Sequence, residues 1–322
     1  MKAIRVSRTG GPEVLLLEEV ATPDPGPGEV RVRLAFSGVN FVDTYQRSGL
    51  YPVPLPFTPG SEGAGEVDAV GPDVAELRAG DRVAYASERG SYAAVAIVPA
   101  AKLVPVPAGV SLDTAAAVML QGMTAHYLAH DTFPLDGGSV ALVHAAAGGV
   151  GLLLVQMARM LGARVIGTTS TEEKAQLARH AGAEEVVLYT HDNFRDRALA
   201  FTGGRGVDVV YDSVGRTTFA DSLRSLRPRG LMVSFGQSSG AVPPFDPLLL
   251  SRRGSLFLTR PTLANFIADR GDLLRRAGDV MRWIADGKLD VRIDRTLDLA
   301  AAPSAHRLLE SRATAGTLLL RC

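Results

Sequence analysis

Val140-Ala-Leu-Val-His-Ala-Ala-Ala-Gly-Gly-Val-Gly151 reads as a short, fully buried strand that turns through glycines straight into a helix. Aligned on Ala146, Gly148 and Gly151, it is the G-x-G-x-x-G fingerprint with alanine in the first glycine position. Each small residue answers a physical need: a tight turn, close approach of the backbone to a pyrophosphate at Gly148, and close helix–strand packing at Gly151. Phosphates would face the unpaired N–H groups and positive dipole end of the helix that opens with Gly149 and Val150. A strand-to-helix turn with no ligand would use similar letters, so the setting of the motif decides.

That setting is an alternation of strand and helix. Strands are expected at 139–143, 164–168, 185–188, 207–212, 230–235 and 255–258, with helices at 149–161, 172–181, 194–202 and 217–226. Apolar strands of this length between helices argue a parallel, doubly wound sheet of Rossmann type. The first third, rich in proline and glycine, instead reads as short strands at 29–36, 63–70, 81–86, 91–98 and 103–105 between turn signals, an all-β, barrel-like unit. Met1-Lys-Ala-Ile-Arg-Val6 looks like a first strand, and 113–130 like a helix leading into the fingerprint. Beyond Pro261 come an amphipathic helix near 271–286, a polar turn, a helix at 302–312 and a strand at 317–320, expected to fold back onto the first domain. The expected domains are therefore 1–121 with 261–322, and 122–260.

The bulk composition narrows the class. At 322 residues the chain is long for a single core. Lys and Arg balance Asp and Glu at 34 each, which gives no reason to expect a nucleic-acid partner. The single cysteine, Cys322, rules out an intramolecular disulfide. With no leader-like N-terminus and no apolar run of membrane length, the expectation is a cytoplasmic protein without a membrane partner.

The end of the second strand speaks to the cofactor. An NAD site places Asp or Glu there for the ribose hydroxyls. Here the chain reads Ile166-Gly-Thr-Thr-Ser170, and Glu172 and Glu173 are explained as part of a capping box opened by Thr169 or Ser170. Small hydroxyl residues leave room for a 2′-phosphate, Lys174 on the first helical turn can reach it, and Tyr189 can close the pocket from the side. NADPH is expected over NADH. Asp212, at a strand end, is expected to hold a loop rather than to act in catalysis.

Metal chemistry is tested by subtraction. His126 and His130 share a helix face by spacing, but no third ligand lies near them in sequence, so an exposed or junction-lining pair is expected and no metal.

These residues carry a family resemblance. The chain resembles the zinc-free quinone oxidoreductases of the medium-chain dehydrogenase/reductase superfamily from end to end, through Gly10–Val14, Gly38–Tyr45, Arg47–Tyr51, Pro59–Gly65, Gln121–Thr124, Ala145–Gly151, Tyr211–Gly215, Val233–Gly236, Thr259–Pro261 and Glu310–Thr314. The resemblance implies an α/β fold, a GroES-like β-barrel catalytic domain joined to a Rossmann NADPH-binding domain. Asn40 stands where zinc-dependent members have a ligand cysteine, and Ser61 where they have a ligand histidine. It implies further that Asn40, Asp43, Tyr45 and Tyr51 line the nicotinamide end of the cleft. Gln121 and Thr124 would contact the nicotinamide side or pyrophosphate, and Thr168, Ser170, Lys174 and Tyr189 the adenosine phosphate. Ser213, Phe235, Gly236 and Ser238 would border the cofactor, while Leu258, Arg260 and Arg312 clamp it. Tyr45 and Tyr51 could equally pack a loop, and Arg312 could be a surface ion-pair residue.

The implied activity is direct reduction of a quinone by NADPH, without metal or flavin, in a homodimer paired through the 255–258 edge strand. The nearest rival is an NADPH-dependent reductase of activated carbon–carbon double bonds such as enones. A rival of another class is a non-catalytic, crystallin-like NADPH binder that also binds RNA, which the balanced charge disfavours.

Overall fold

The computed structural model describes all residues, 1–322. They form two units: residues 1–123 with 266–322, and residues 124–265. The junctions fall a few residues beyond those expected from the sequence.

The first unit opens with strands β1 (Lys2–Arg5) and β2 (Leu16–Glu19), an antiparallel pair. Strand β3 (Glu29–Val39), helix α1 (Phe41–Arg47) and strands β4 (Glu62–Val70), β5 (Arg82–Ala86), β6 (Val95–Pro99) and β7 (Val104–Pro105) follow, then helix α2 (Leu112–Tyr127). Helix α1 corrects the expectation of an all-β first third. Its cap was written in the sequence: the Asn40 N–H donates to the Asp43 carboxylate three residues on (2.9 Å), one half of a capping-box arrangement.

The second unit alternates as expected: β8 (Val140–Val143), α3 (Gly149–Met160), β9 (Arg164–Thr169), α4 (Glu172–Ala181), β10 (Glu185–Leu188), α5 (Phe194–Phe201), β11 (Val207–Asp212), α6 (Phe219–Ser225), β12 (Leu226–Ser234), the short α7 (Leu248–Arg252) and β13 (Phe257–Thr259). The helix expected through Leu226 stops at Ser225 and that residue starts a strand instead, because Pro228 disfavours helical backbone just before it. The six strands run parallel in the order β10-β9-β8-β11-β12-β13. Leu142, Ile166, Val210 and Met232 sit fully buried on this sheet with Phe194, Phe219 and Leu223 from the helices. Each such side chain contributes about 1.5–3 kcal/mol by leaving water. The order reverses between β8 and β11, the switch point at which open α/β sheets bind ligands.

After α8 (Leu263–Phe266) the chain returns to the first unit through α9 (Arg270–Ala285), β14 (Ile293–Asp298), α10 (Ala302–Glu310) and β15 (Thr317–Arg321). Leu273, Ala277, Val280 and Met281 form the buried stripe of α9, and Asp269 caps it through the N–H groups of Gly271 and Asp272. The polar turn expected before α10 contains β14 instead. That strand lies parallel to β15, which in turn pairs antiparallel with β3, so the seven-stranded sheet runs β14-β15-β3-β4-β5-β7 with β6 on β3.

Candidate functional site

The fingerprint sits at the switch point as a strand, a turn and a helix. Beyond β8 the chain turns at Ala145, whose φ is +49°, and α3 starts at Gly149 with Gly148 as its N-cap. No side chain caps this helix, so the first-turn N–H groups at Gly149, Val150 and Gly151 are left facing an anion position. A Cβ on Gly151 would collide with the Ala145 carbonyl oxygen and approach Ala146 Cα to 2.9 Å, so helix and turn need glycine to come this close. Ala146, in the first glycine position, is accommodated by a neighbour: a Cβ at Gly167 on β9 would lie 2.8 Å from its methyl. The lost glycine of the motif is thus matched by a glycine across the sheet. This uncapped cradle of small residues fits a dinucleotide pyrophosphate.

Around the cradle, several expected residues are brought together. The Ser238 N–H donates to the Ser213 carbonyl (3.1 Å) and the Phe235 N–H to that of Asp212 (2.9 Å). The Arg260 guanidinium donates to the carbonyls of Ser234 (3.2 Å) and Gly236 (3.3 Å), closing over the end of β12. Leu258 packs against the core of the second unit. Asp212, buried, accepts from the N–H groups of Val214 and Gly215 and from the hydroxyls of Thr218 and Ser222, and so holds the loop after β11.

The adenosine end is mixed. Thr169 closes β9 with Ser170, not an acid, next in the chain, and the Tyr189 N–H donates to the Thr169 carbonyl (3.1 Å), with the Tyr189 side chain exposed. The helix cap is Thr171, whose hydroxyl accepts from the Lys174 N–H (3.3 Å), not Thr169 or Ser170 as expected. The reason is that β9 runs one residue further and pairs Thr169 with Leu188. Lys174 consequently occupies the third position of α4, half-buried. Thr168 turns its hydroxyl inward to His144 Nδ1 (3.0 Å), and His144 Nε2 meets the Ser222 hydroxyl (2.9 Å). Burial lowers the His144 pKa against the pull of Asp212. No sequence signal set Thr168 apart from Thr169 and Ser170 beside it.

The first unit carries a second polar cluster, almost wholly buried. Helix α1 turns Asp43, Thr44 and Arg47 inward, while Phe41 and Tyr45, four apart, share the other face with centroids 6.1 Å apart. Tyr51 meets Tyr45 edge-on at 5.2 Å, so the two tyrosines do pack together. Asp43 accepts from the Asn40 N–H (2.9 Å), the Ser61 hydroxyl (2.7 Å) and the Tyr92 hydroxyl (3.2 Å). Burial raises its carboxyl to about 6, with those three bonds opposing. Glu62 accepts from Asn40 Nδ2 (2.7 Å) and the Leu120 N–H (2.6 Å). Burial, helped by the charge of Asp43, raises Glu62 to about 8 against those bonds.

Behind Asp43 the hydrogen bonds have a fixed direction. Arg47 can only donate, so at 3.1 Å it makes His306 Nδ1 an acceptor. Burial, with the nearby Arg47 charge, lowers His306 to about 3, so the ring is neutral and its proton sits on Nε2. That N–H donates to the Tyr92 oxygen (3.1 Å), and Tyr92 donates to Asp43. Arg47 itself is clamped by Glu310 (2.6 Å) and the Gly10 carbonyl (3.1 Å). The sequence reading missed Glu62, Tyr92 and His306 as members of this cluster. Glu62 had a signal, an acid inside the otherwise small and apolar run Gly60–Gly65, whereas Tyr92 and His306 meet across 214 positions and had none.

Gln121 lies in this same cluster, bonded to Asn40 and Thr317, and Thr124 is buried one turn along α2. Arg312 is exposed on the turn after α10, at φ +58°. Of the exposed or junction-lining pair, the exposed alternative fails for His126, which is buried with its ring 4.5 Å from that of the half-buried His130, where α2 gives way to a π-helical turn at Leu128–Thr132. No group of three or more His, Cys, Asp or Glu side chains is gathered to hold a metal ion. At the two positions matching zinc ligands stand an amide and a hydroxyl, both bound to Asp43 or Glu62, a donor set that does not fit zinc.

A doubly wound dinucleotide domain inserted into a β-rich domain with a buried acid–amide cluster defines a two-domain, nicotinamide-dependent dehydrogenase class. Residues 26–108 match the family model described as the alcohol dehydrogenase GroES-like domain, and residues 149–269 the one described as zinc-binding dehydrogenase. The chain is 47% identical to a quinone oxidoreductase of Pseudomonas aeruginosa over 321 residues, 99% of each. Its structure superposes on that of Escherichia coli quinone oxidoreductase complexed with NADPH with a TM-score of 0.98, 44% identity and complete coverage of both chains. A 2-haloacrylate reductase of Burkholderia is 41% identical, with 98% of this chain and 97% of that one covered. The chain belongs to the quinone oxidoreductase family of the medium-chain dehydrogenase/reductase superfamily.

Proposed function

We infer that this chain is an NADPH-dependent quinone reductase: quinone, NADPH and a proton give hydroquinone and NADP⁺. The observation that carries the reading is the pairing of an uncapped, glycine-lined helix start with an acid-free end of β9 that presents Ser170, Lys174 and Tyr189. The likeness to a structure complexed with NADPH supports it over the whole chain. The second unit holds the cofactor: Ala146 through Gly151 at the pyrophosphate, Ser170, Lys174 and Tyr189 at the 2′-phosphate, and Ser213, Phe235, Gly236, Ser238, Leu258 and Arg260 along its length, with Thr124 as a further contact. Bound NADPH supplies the reducing equivalents.

The first unit supplies the acceptor's surroundings. Asn40 offers an amide hydrogen, and Tyr45 and Tyr51 offer flat aromatic faces and hydroxyls. A quinone asks little more, since its oxygens need hydrogen bonds as they take on negative charge. Asp43 holds Asn40 and Ser61 in place.

The enzyme works in the cytoplasm as a homodimer. Strand β13 is the sheet edge and carries Phe257, 60% exposed, and an apolar edge of this kind is a hazard unless covered. No helix is long and apolar enough to cross a membrane.

The test is to dialyse the protein against a chelator, confirm the absence of metal by elemental analysis, and titrate with NADPH and NADH before anaerobic turnover with a quinone. Tight NADPH binding with turnover is expected. Preferred binding of NADH, or activity that returns only with zinc, would refute the reading. Light scattering of wild type and Phe257→Lys checks the dimer, which the variant should weaken; a wild-type monomer would contradict it.

A further inference from the structure

Three elements of the first unit bring polar groups to Asn40. Glu62 comes from β4, Leu120 and Gln121 from α2, and Thr317 from β15, and the three side chains are buried. Their hydrogen bonds form one line. The Thr317 hydroxyl donates to Gln121 Oε1 (2.6 Å), Gln121 Nε2 to Asn40 Oδ1 (3.0 Å), and Asn40 Nδ2 to Glu62 Oε1 (2.7 Å). Glu62 Oε2 in turn accepts the Leu120 N–H (2.6 Å).

An amide has a donor end and an acceptor end, so the line runs one way throughout, and the ionisation of Glu62 selects which. Ionised, Glu62 only accepts, which turns the Asn40 NH₂ toward it, the direction the structure holds. The Asn40 carbonyl must then face the Gln121 NH₂, and the Gln121 carbonyl must face a donor. Thr317 is that donor. Reversing either amide alone would set NH₂ against NH₂, or oxygen against the carboxylate, and leave buried polar atoms unpaired. The lock uses one hydrogen of Asn40 Nδ2 and leaves the second for a ligand.

We propose that Thr317, acting through Gln121, is a positioning residue that fixes the Asn40 amide with its remaining N–H directed to the acceptor oxygen of the substrate. This rests on the quinone-reductase reading for the identity of the substrate, but the lock itself belongs to the protein alone. Thr317 lies on the last strand, 277 positions from Asn40 in sequence, and its hydroxyl bonds Gln121. Its partner Gln121 is thereby placed with the acceptor machinery rather than with the cofactor.

The test compares Thr317→Val, which keeps the shape and removes the donor, with Thr317→Ser, which restores it. In the cofactor-free protein, the Asn40 side-chain amide signal in ¹⁵N–¹H spectra, assigned by its loss in Asn40→Asp, should exchange with solvent at least about tenfold faster in the valine variant and at the wild-type rate in the serine variant. In quinone turnover, Thr317→Val should lower kcat about tenfold with an unchanged KM for NADPH, and Thr317→Ser should recover most of the loss. Unchanged Asn40 exchange in Thr317→Val, or equal damage by valine and serine, would overturn the proposal. A wild-type protein that reduced no quinone would strike the activity reading instead, and the exchange measurement would still decide the lock.

Discussion

The Ala146–Gly167 pair supports a quantitative prediction. Adding a methyl at Gly167 puts two carbons 2.8 Å apart, where van der Waals contact needs about 3.5–4.0 Å. The turn or β9 must therefore give by roughly 1 Å in a buried site, and overpacking of this kind costs about 1–3 kcal/mol. Gly167→Ala alone should lower the unfolding midpoint and also weaken NADPH binding, because the turn that moves is the one that cradles the pyrophosphate. Ala146→Gly alone should cost about 1 kcal/mol, chiefly in chain entropy. In the double variant the added methyl occupies the space vacated by the lost one, so the cycle should show a favourable coupling of at least about 1 kcal/mol. Urea unfolding and NADPH titration of the four proteins provide the assay. Additive stabilities, or a Gly167→Ala variant that binds NADPH as wild type does, would refute the steric argument.

Other expectations follow from individual contacts. Lys174→Ala should cost about 1.5–3 kcal/mol in NADPH affinity and leave NADH unchanged in paired titrations, because only a 2′-phosphate offers it a charge-assisted bond. Glu310→Gln strips the carboxylate from the buried Arg47 guanidinium and should lower stability by about 1–3 kcal/mol in urea unfolding. Stability should also depend on pH in two opposite ways, readable from urea midpoints between pH 2 and pH 9. Asp208 is held at about 2: burial raises it, but bonds from Arg205, Arg227 and the Val140 N–H outweigh that. Its contribution is present above ordinary carboxylate values and lost as pH falls toward 2, and Asp208→Asn should remove that slope. Asp43 and Glu62 are raised, so their contribution is present in acid and lost as pH rises through about 6 and about 8. Glu62→Gln should flatten the upper limb.

Much of the second unit was legible in the sequence because its strands are continuous apolar runs closed by glycines, and local pattern is enough to place such elements. The errors there are local too. Strand β9 ran one residue further than its pattern, which moved the cap to Thr171, and Pro228 ended a helix early. The first unit was less legible. Helix α1 hid behind a short motif, and β14 is half polar because it lies at a sheet edge. The buried cluster was half visible: Asn40 and Asp43 stood out through the family motif, while Tyr92, His306 and Thr317 come from a loop, a helix and a strand distant in sequence. Periodicity reports which face of an element is buried, but not which distant polar residue it will meet.

The function itself is tested most directly by one comparison, the kcat/KM for a quinone and for an activated enone, with NADPH saturating and the same enzyme preparation. The likeness to a 2-haloacrylate reductase makes the double-bond reduction a real competitor. Faster turnover of the quinone is predicted, and a higher kcat/KM for the enone would contradict the assignment.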